Sequence, residues 1–221
     1  MPIREELLHR VRVAAGARDA RPYAGGSRFE HLVVIGASTG GPRALGHVVP
    51  ELPVDGRTAY LIVQHMPAGF TRSLAERLDA ASQLAVREAA AGDRLRPGTA
   101  LVAPGDYHLR LTASGAVELD QSARVHGVRP SLDLALQSAA ERFGRRTVAV
   151  ILTGMGRDGA DGAGAVRQAG GRVIAEDEST CVVWGMPRAV VERGLASQVV
   201  PLDGVAQAIA SAILAPAVVA R

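Results

Sequence analysis

Leu32-Val33-Val34-Ile35-Gly36-Ala37-Ser38-Thr39-Gly40-Gly41-Pro42 decides how this chain is read. A run of apolar, mostly β-branched residues stops at a glycine. Small and turn-forming residues follow, and a helical pattern with Leu45, Val48 and Val49 starts behind Pro42. Such a run, apolar on both faces, marks a parallel strand buried between helices. The turn after it lifts one hydroxyl, that of Ser38, off the carboxyl end of a sheet and surrounds it with backbone N–H groups. A nucleophile needs that exposure, that fixed position and those donors for an oxyanion. Gly36-Ala37-Ser38-Thr39-Gly40 also has the G-x-S-x-G spacing of a nucleophile elbow, a pattern with many chance matches.

The same alternation continues along the chain. Strands are expected over 32–36, 58–63, 100–103, 147–152 and 172–175, and helices after Pro42 and over 71–81, 131–143, 160–169 and 204–214. Residues 107–111 and 117–119, separated by Thr112-Ala113-Ser114-Gly115, read as a β-hairpin. Strands alternating with helices give an α/β fold: a doubly wound, mostly parallel sheet flanked by helices, with an antiparallel hairpin insertion. Residues 1–28 read as an N-terminal amphipathic helix, with Ile3, Leu7, Leu8 and Val11 on one face, followed by a Gly/Ala/Arg linker. Residues 29–221 form the main domain.

Composition removes several chemistries. The 25 cationic residues are all arginine, and neither lysine nor asparagine occurs. A P-loop, a pyridoxal Schiff base and N-glycosylation each lack their residue. The arginines are spread along the chain, so solvated helix faces are expected and not a nucleic-acid surface. A single cysteine, Cys181, forms no intramolecular disulfide and sits in an apolar run as a small core residue. With neither a signal-peptide core nor a bilayer-length apolar stretch, the expected setting is cytoplasmic, without membrane insertion.

Ligand sites of doubly wound sheets lie outside the carboxyl ends of the strands. Three chemically useful side chains fall at such ends: Ser38, His65 and Asp158. A base must take the serine proton, imidazole titrates in the right range, and a carboxylate can fix its tautomer. The bland alternative makes Ser38 and Asp158 caps of the following helices and His65 a structural histidine. A second alternative, a nucleotide- or phosphate-binding module, follows from N–H groups at a helix start attracting anions. Against it, Ser38 stands where G-x-G-x-x-G needs its second glycine. The aspartates of 154–162 do not have calcium-loop spacing, so no metal is expected, and Asp161 reads as a first-turn helix residue.

Several separated motifs carry a resemblance. Gly36-Ala37-Ser38-Thr39-Gly40-Gly41-Pro42, Gln64-His65-Met66-Pro67 and Ala103-Pro104-Gly105-Asp106-Tyr107-His108 are similar to the chemotaxis protein-glutamate methylesterase (CheB catalytic domain) family. So are Arg129-Pro130-Ser131-Leu132-Asp133, Leu152-Thr153-Gly154-Met155-Gly156-Arg157-Asp158-Gly159-Ala160 and Trp184-Gly185-Met186-Pro187-Arg188-Ala189. The resemblance implies Ser38 as nucleophile, His65 as base and Asp158 as its aspartate. It further implies Thr39 as a residue that helps position the histidine and Met155 as donor of an oxyanion-hole N–H. The implied reaction is hydrolysis of glutamyl γ-methyl esters on methylated chemoreceptors, releasing methanol, with deamidation of receptor glutamines as a related activity. No cofactor is implied. The family's receiver domain has no room before residue 32 in this sequence, so the expectation is either a stand-alone member, with any regulatory partner on a separate chain, or a chain separated from its regulator.

Overall fold

The computed structural model describes residues 29–214; the expected N-terminal helix and linker lie outside the described residues. Among the described residues nine strands and six α-helices follow one another: β1 His31–Ala37, α1 Gly41–Val48, β2 Thr58–Gln64, α2 Phe70–Ala81, β3 Ala85–Glu88, β4 Thr99–Val102, β5 His108–Leu111, β6 Val117–Asp120, α3 Leu132–Phe143, β7 Thr147–Ile151, α4 Ala160–Gln168, β8 Arg172–Glu176, α5 Met186–Glu192, β9 Gln198–Val200 and α6 Val205–Leu214.

Seven strands form one sheet in the order β3-β4-β2-β1-β7-β8-β9, and every pairing in it is parallel. The antiparallel hairpin β5–β6 is a separate two-stranded sheet beside it. β1 is central because it is apolar on both faces. Leu32, Val33, Val34 and Ile35 are all fully buried. Side chains alternate across a strand, so Val33 and Ile35 join the core under α1, α2 and α6 while Leu32 and Val34 join the opposite core under α3, α4 and α5.

After β1 the chain first builds outward through β2 to β4 and β3, then returns to the other side of β1 for β7, β8 and β9. The strand order therefore reverses next to β1, where such sheets open a crevice at their carboxyl ends. β2, β1 and β7 are adjacent, and each is followed by one of the three expected side chains.

Candidate active site

Ser38 directly follows β1 and His65 directly follows β2. The register pairs Ala37 with Gln64, so the two residues leave the sheet side by side. The His65 N–H donates to Ala37 O at 3.1 Å, which extends that pairing by one step. On the other side, the Ser38 N–H donates to Thr153 O at 3.0 Å, tying the serine turn to the loop after β7. Ser38 does not cap α1. Gly40 occupies that N-cap, at φ +82°, where a side chain would be strained and its β-carbon would meet Val182 at 2.6 Å. Gly154 must also be bare, since a β-carbon there would lie 2.8 Å from Ser38 Cβ.

His65 Nε2 bonds Asp158 Oδ2 at 2.8 Å, with side chains only 9% and 3% exposed. The acceptor-only carboxylate fixes the neutral tautomer: Nε2 carries the proton and Nδ1 keeps the lone pair. Nδ1 is buried and has no hydrogen-bond partner among the described residues, so no bond to Ser38 is formed in this structure.

Asp158 is held from four sides. Oδ1 accepts from Ser131 Oγ (2.8 Å) and the Asp133 N–H (3.1 Å), and Oδ2 accepts from the Leu132 N–H (2.6 Å) as well as from His65. The carboxylate thus sits on the first turn of α3, where free N–H groups and the helix dipole favour an anion. It does cap a helix, but not the one it precedes: the N-cap of α4 is Gly159. Asp133 returns the favour, its Oδ1 accepting from Gly159 and Gly162 at the start of α4. Ser131 stands at the N-cap position of α3, yet its hydroxyl serves Asp158 and not its own helix. Burial alone pushes the Asp158 carboxyl up, but the bonds from His65, Leu132 and Ser131 outweigh it and hold it below the usual carboxylate range. Asp133 moves the other way: burial, with the nearby Asp158 and Asp161 charges, pushes it up.

Three further residues build the site, none assigned a role from the sequence. Gln64, almost fully buried, donates through one amide nitrogen to Ser38 O (3.0 Å) and to His65 O (3.1 Å). One side chain therefore clamps the backbones of both residues. The available signal was a polar residue ending an otherwise apolar buried strand, immediately before His65. Thr153 is the second. Its hydroxyl donates to Thr39 O at 2.9 Å and accepts from the Val183 N–H at 3.0 Å. Its own N–H donates to Oε2 of the third, Glu176, a fully buried carboxylate ending β8, at 2.8 Å.

Thr39 is exposed and is tied in through its carbonyl; no hydrogen bond joins its hydroxyl to His65 among the described residues. Met155 projects from the turn after β7 with 74% of its surface exposed. The phosphate-cradle alternative loses two of its donors, because the Ser38 and Gly41 N–H groups bond Thr153 O and Ser38 O. For metals, His126, Asp133 and Asp161 bring ligand atoms within 4.8 Å of one another. Asp133 already serves two backbone donors and His126, however, and Asp161 is paired with Arg193 at 2.7 Å, so we assign no metal there.

A doubly wound α/β core with a histidine–carboxylate pair beside a serine turn, at the switch point of the sheet, has the architecture of a hydrolase domain. The family model for CheB methylesterase matches residues 33–209. A protein-glutamate methylesterase/protein-glutamine glutaminase of Symbiobacterium thermophilum is 56% identical over 182 residues, covering 82% of this chain and 50% of that protein. One of the same description from Pseudomonas aeruginosa is 52% identical over 183 residues, covering 81% of this chain and 52% of its own. The crystal structure of the Thermotoga maritima CheB methylesterase catalytic domain matches with a TM-score of 0.78 at 50% identity, covering 81% of this chain and 96% of that one. The chain belongs to the CheB methylesterase family. It spans about half the length of these two curated relatives. No support for a nucleotide-binding module comes from these relatives.

Proposed function

We propose that this chain is a serine hydrolase that removes methyl groups from γ-glutamyl methyl esters of chemoreceptors. The observation that carries the reading is the His65–Asp158 pair, with the second ring nitrogen buried and free beside the turn that bears Ser38. Ser38 attacks the ester carbonyl while His65 Nδ1 takes its proton. Asp158 stays ionised and stabilises the imidazolium through Nε2. The Met155 N–H and the serine turn hold the oxyanion. His65 then protonates the departing methoxide, methanol leaves, and water repeats the attack on the acyl-serine to leave a glutamate. A glutamine side chain enters the same acyl-enzyme with ammonia as leaving group, so receptor glutamine deamidation belongs to the same site. The relatives' names, methylesterase and glutaminase, support both routes. Thr39 borders the nucleophile, and its carbonyl bond to Thr153 supports a positioning role.

The reaction needs no organic cofactor or metal, and a cytoplasmic receptor surface is the proposed place of action; a regulatory partner would act on it there. Among the described residues no helix is long and apolar enough to cross a membrane. Methanol release from a methylated receptor tests the reading. Wild type should turn over and Ser38→Ala should lose essentially all activity while keeping its melting temperature; an active Ser38→Ala protein removes the mechanism.

A further inference from the structure

A second concavity lies at the opposite end of the sheet, at the amino ends of β1, β4 and β7. It encloses about 770 Å³, within the size range of small-molecule sites. Four guanidinium groups line it, those of Arg94 and Arg96 before β4, Arg142 in the last turn of α3, and Arg146 before β7. Three are held by neutral partners. Arg142 and Arg146 lie over the Phe143 ring, 5.4 and 5.7 Å from its centre, and Arg94 donates to Ser114 O at 3.4 Å. Phe143 is itself braced by Phe29, ring centres 5.1 Å apart. Among the described residues none of the four arginines has an ion-pair partner. The single carboxylate of the wall, Glu30, faces Arg57 at 3.8 Å.

Cation–π stacking fixes a guanidinium without neutralising it, so the planar N–H forks remain available to an anion. Four positive charges with no ion-pair partner among the described residues, set around one hollow, match a compact ligand of several negative charges, and guanidinium pairs with phosphate oxygens in two parallel bonds. We propose that this hollow binds a small phosphorylated anion carrying at least two phosphate groups, at a site separate from the Ser38 rim. Free pyrophosphate and the phosphate chain of a nucleotide offer the same chemistry.

The test is isothermal titration of the full chain with pyrophosphate, orthophosphate, ATP and adenosine at low salt. Pyrophosphate should bind saturably, at least tenfold tighter than orthophosphate, and adenosine should not bind. ATP matching or exceeding pyrophosphate would identify a nucleotide as the source; ATP binding more weakly would identify the free anion. Arg96→Gln and Arg146→Gln, both at exposed positions, should each weaken pyrophosphate at least tenfold with ester hydrolysis unchanged. Absent saturable pyrophosphate binding, equal affinity for both inorganic anions, or unchanged affinity in both variants would overturn the proposal.

Discussion

Replacing Asp158 by asparagine separates two consequences that one carboxylate joins. The carboxylate accepts four hydrogen bonds, two on each oxygen. Asparagine keeps one accepting oxygen and turns the other into a donor. If its oxygen stays toward His65 and Leu132, the amide faces the Ser131 hydroxyl, which can rotate to accept, and the Asp133 N–H, which cannot. That orphans only the longest of the four contacts, so this arrangement wins. An unsatisfied buried donor costs about 1–3 kcal/mol. In a domain of this size each kcal/mol lowers the melting temperature by about 2–4 °C. The ring keeps its tautomer but loses the anion that balances the imidazolium; in a serine triad the corresponding change also leaves the wrong tautomer and lowers turnover about ten-thousandfold, so a smaller loss is expected here. The expected outcome is therefore a folded protein melting a few degrees lower and hydrolysing methyl esters at least a hundredfold more slowly. Calorimetry and methanol release on the same preparation measure both. Unchanged turnover alongside the lower melting temperature would leave Asp158 a helix cap alone and refute the catalytic assignment.

Other expectations follow from the same geometry. Because the folded Asp158 carboxyl is held below its usual range, the stability it supplies is complete above ordinary carboxylate pH and fades as the pH falls through its depressed value. The stability gap between wild type and Asp158→Asn should thus close on acidification, and a gap that widened would reverse the sign. Gln64→Leu should lower kcat at least tenfold with a smaller change in KM, since the clamp on the Ser38 and His65 carbonyls is lost; equal kcat would demote Gln64 to packing. Gly154→Ala should impair turnover through its collision with Ser38 Cβ, and full activity would show that the loop yields freely. Burial, with the Glu176 charge next, pushes the Cys181 thiol up to about 12, so native protein at neutral pH should resist iodoacetamide while unfolded protein reacts.

What the sequence disclosed followed from the physics of each element. β1, β2 and β7 are buried on both faces, so their apolar runs stand out, and the turns that end them carry Ser38, His65 and Asp158 on one rim. The edges were quieter. β3 is Ala85-Val86-Arg87-Glu88 and β9 is three residues with two exposed, so neither carries a continuous apolar signal in the sequence. Helix α5, seven residues long and opening on Met186-Pro187, is too short to show a helical period in the sequence. The expected helix caps failed for a different reason. Asp158 and Asp133 each serve the helix that the other one's chain segment leads into or begins, a cross-over that spans 25 residues and has no local signature. Ser131 lies one residue before α3, at its N-cap position, while its hydroxyl's partner Asp158 is 27 residues away and visible only in space.

That exchange of carboxylates ties the geometry at the rim to the seating of a helix pair. His65's orientation depends on Asp158, Asp158 on the first turn of α3, and α3 on α4 through Asp133. A shift of α3 by a fraction of a turn would withdraw Leu132 and Ser131 from the carboxylate and release the imidazole together with it. The two helices therefore form a brake on the ring: any contact that levers them apart slackens the base without touching the serine.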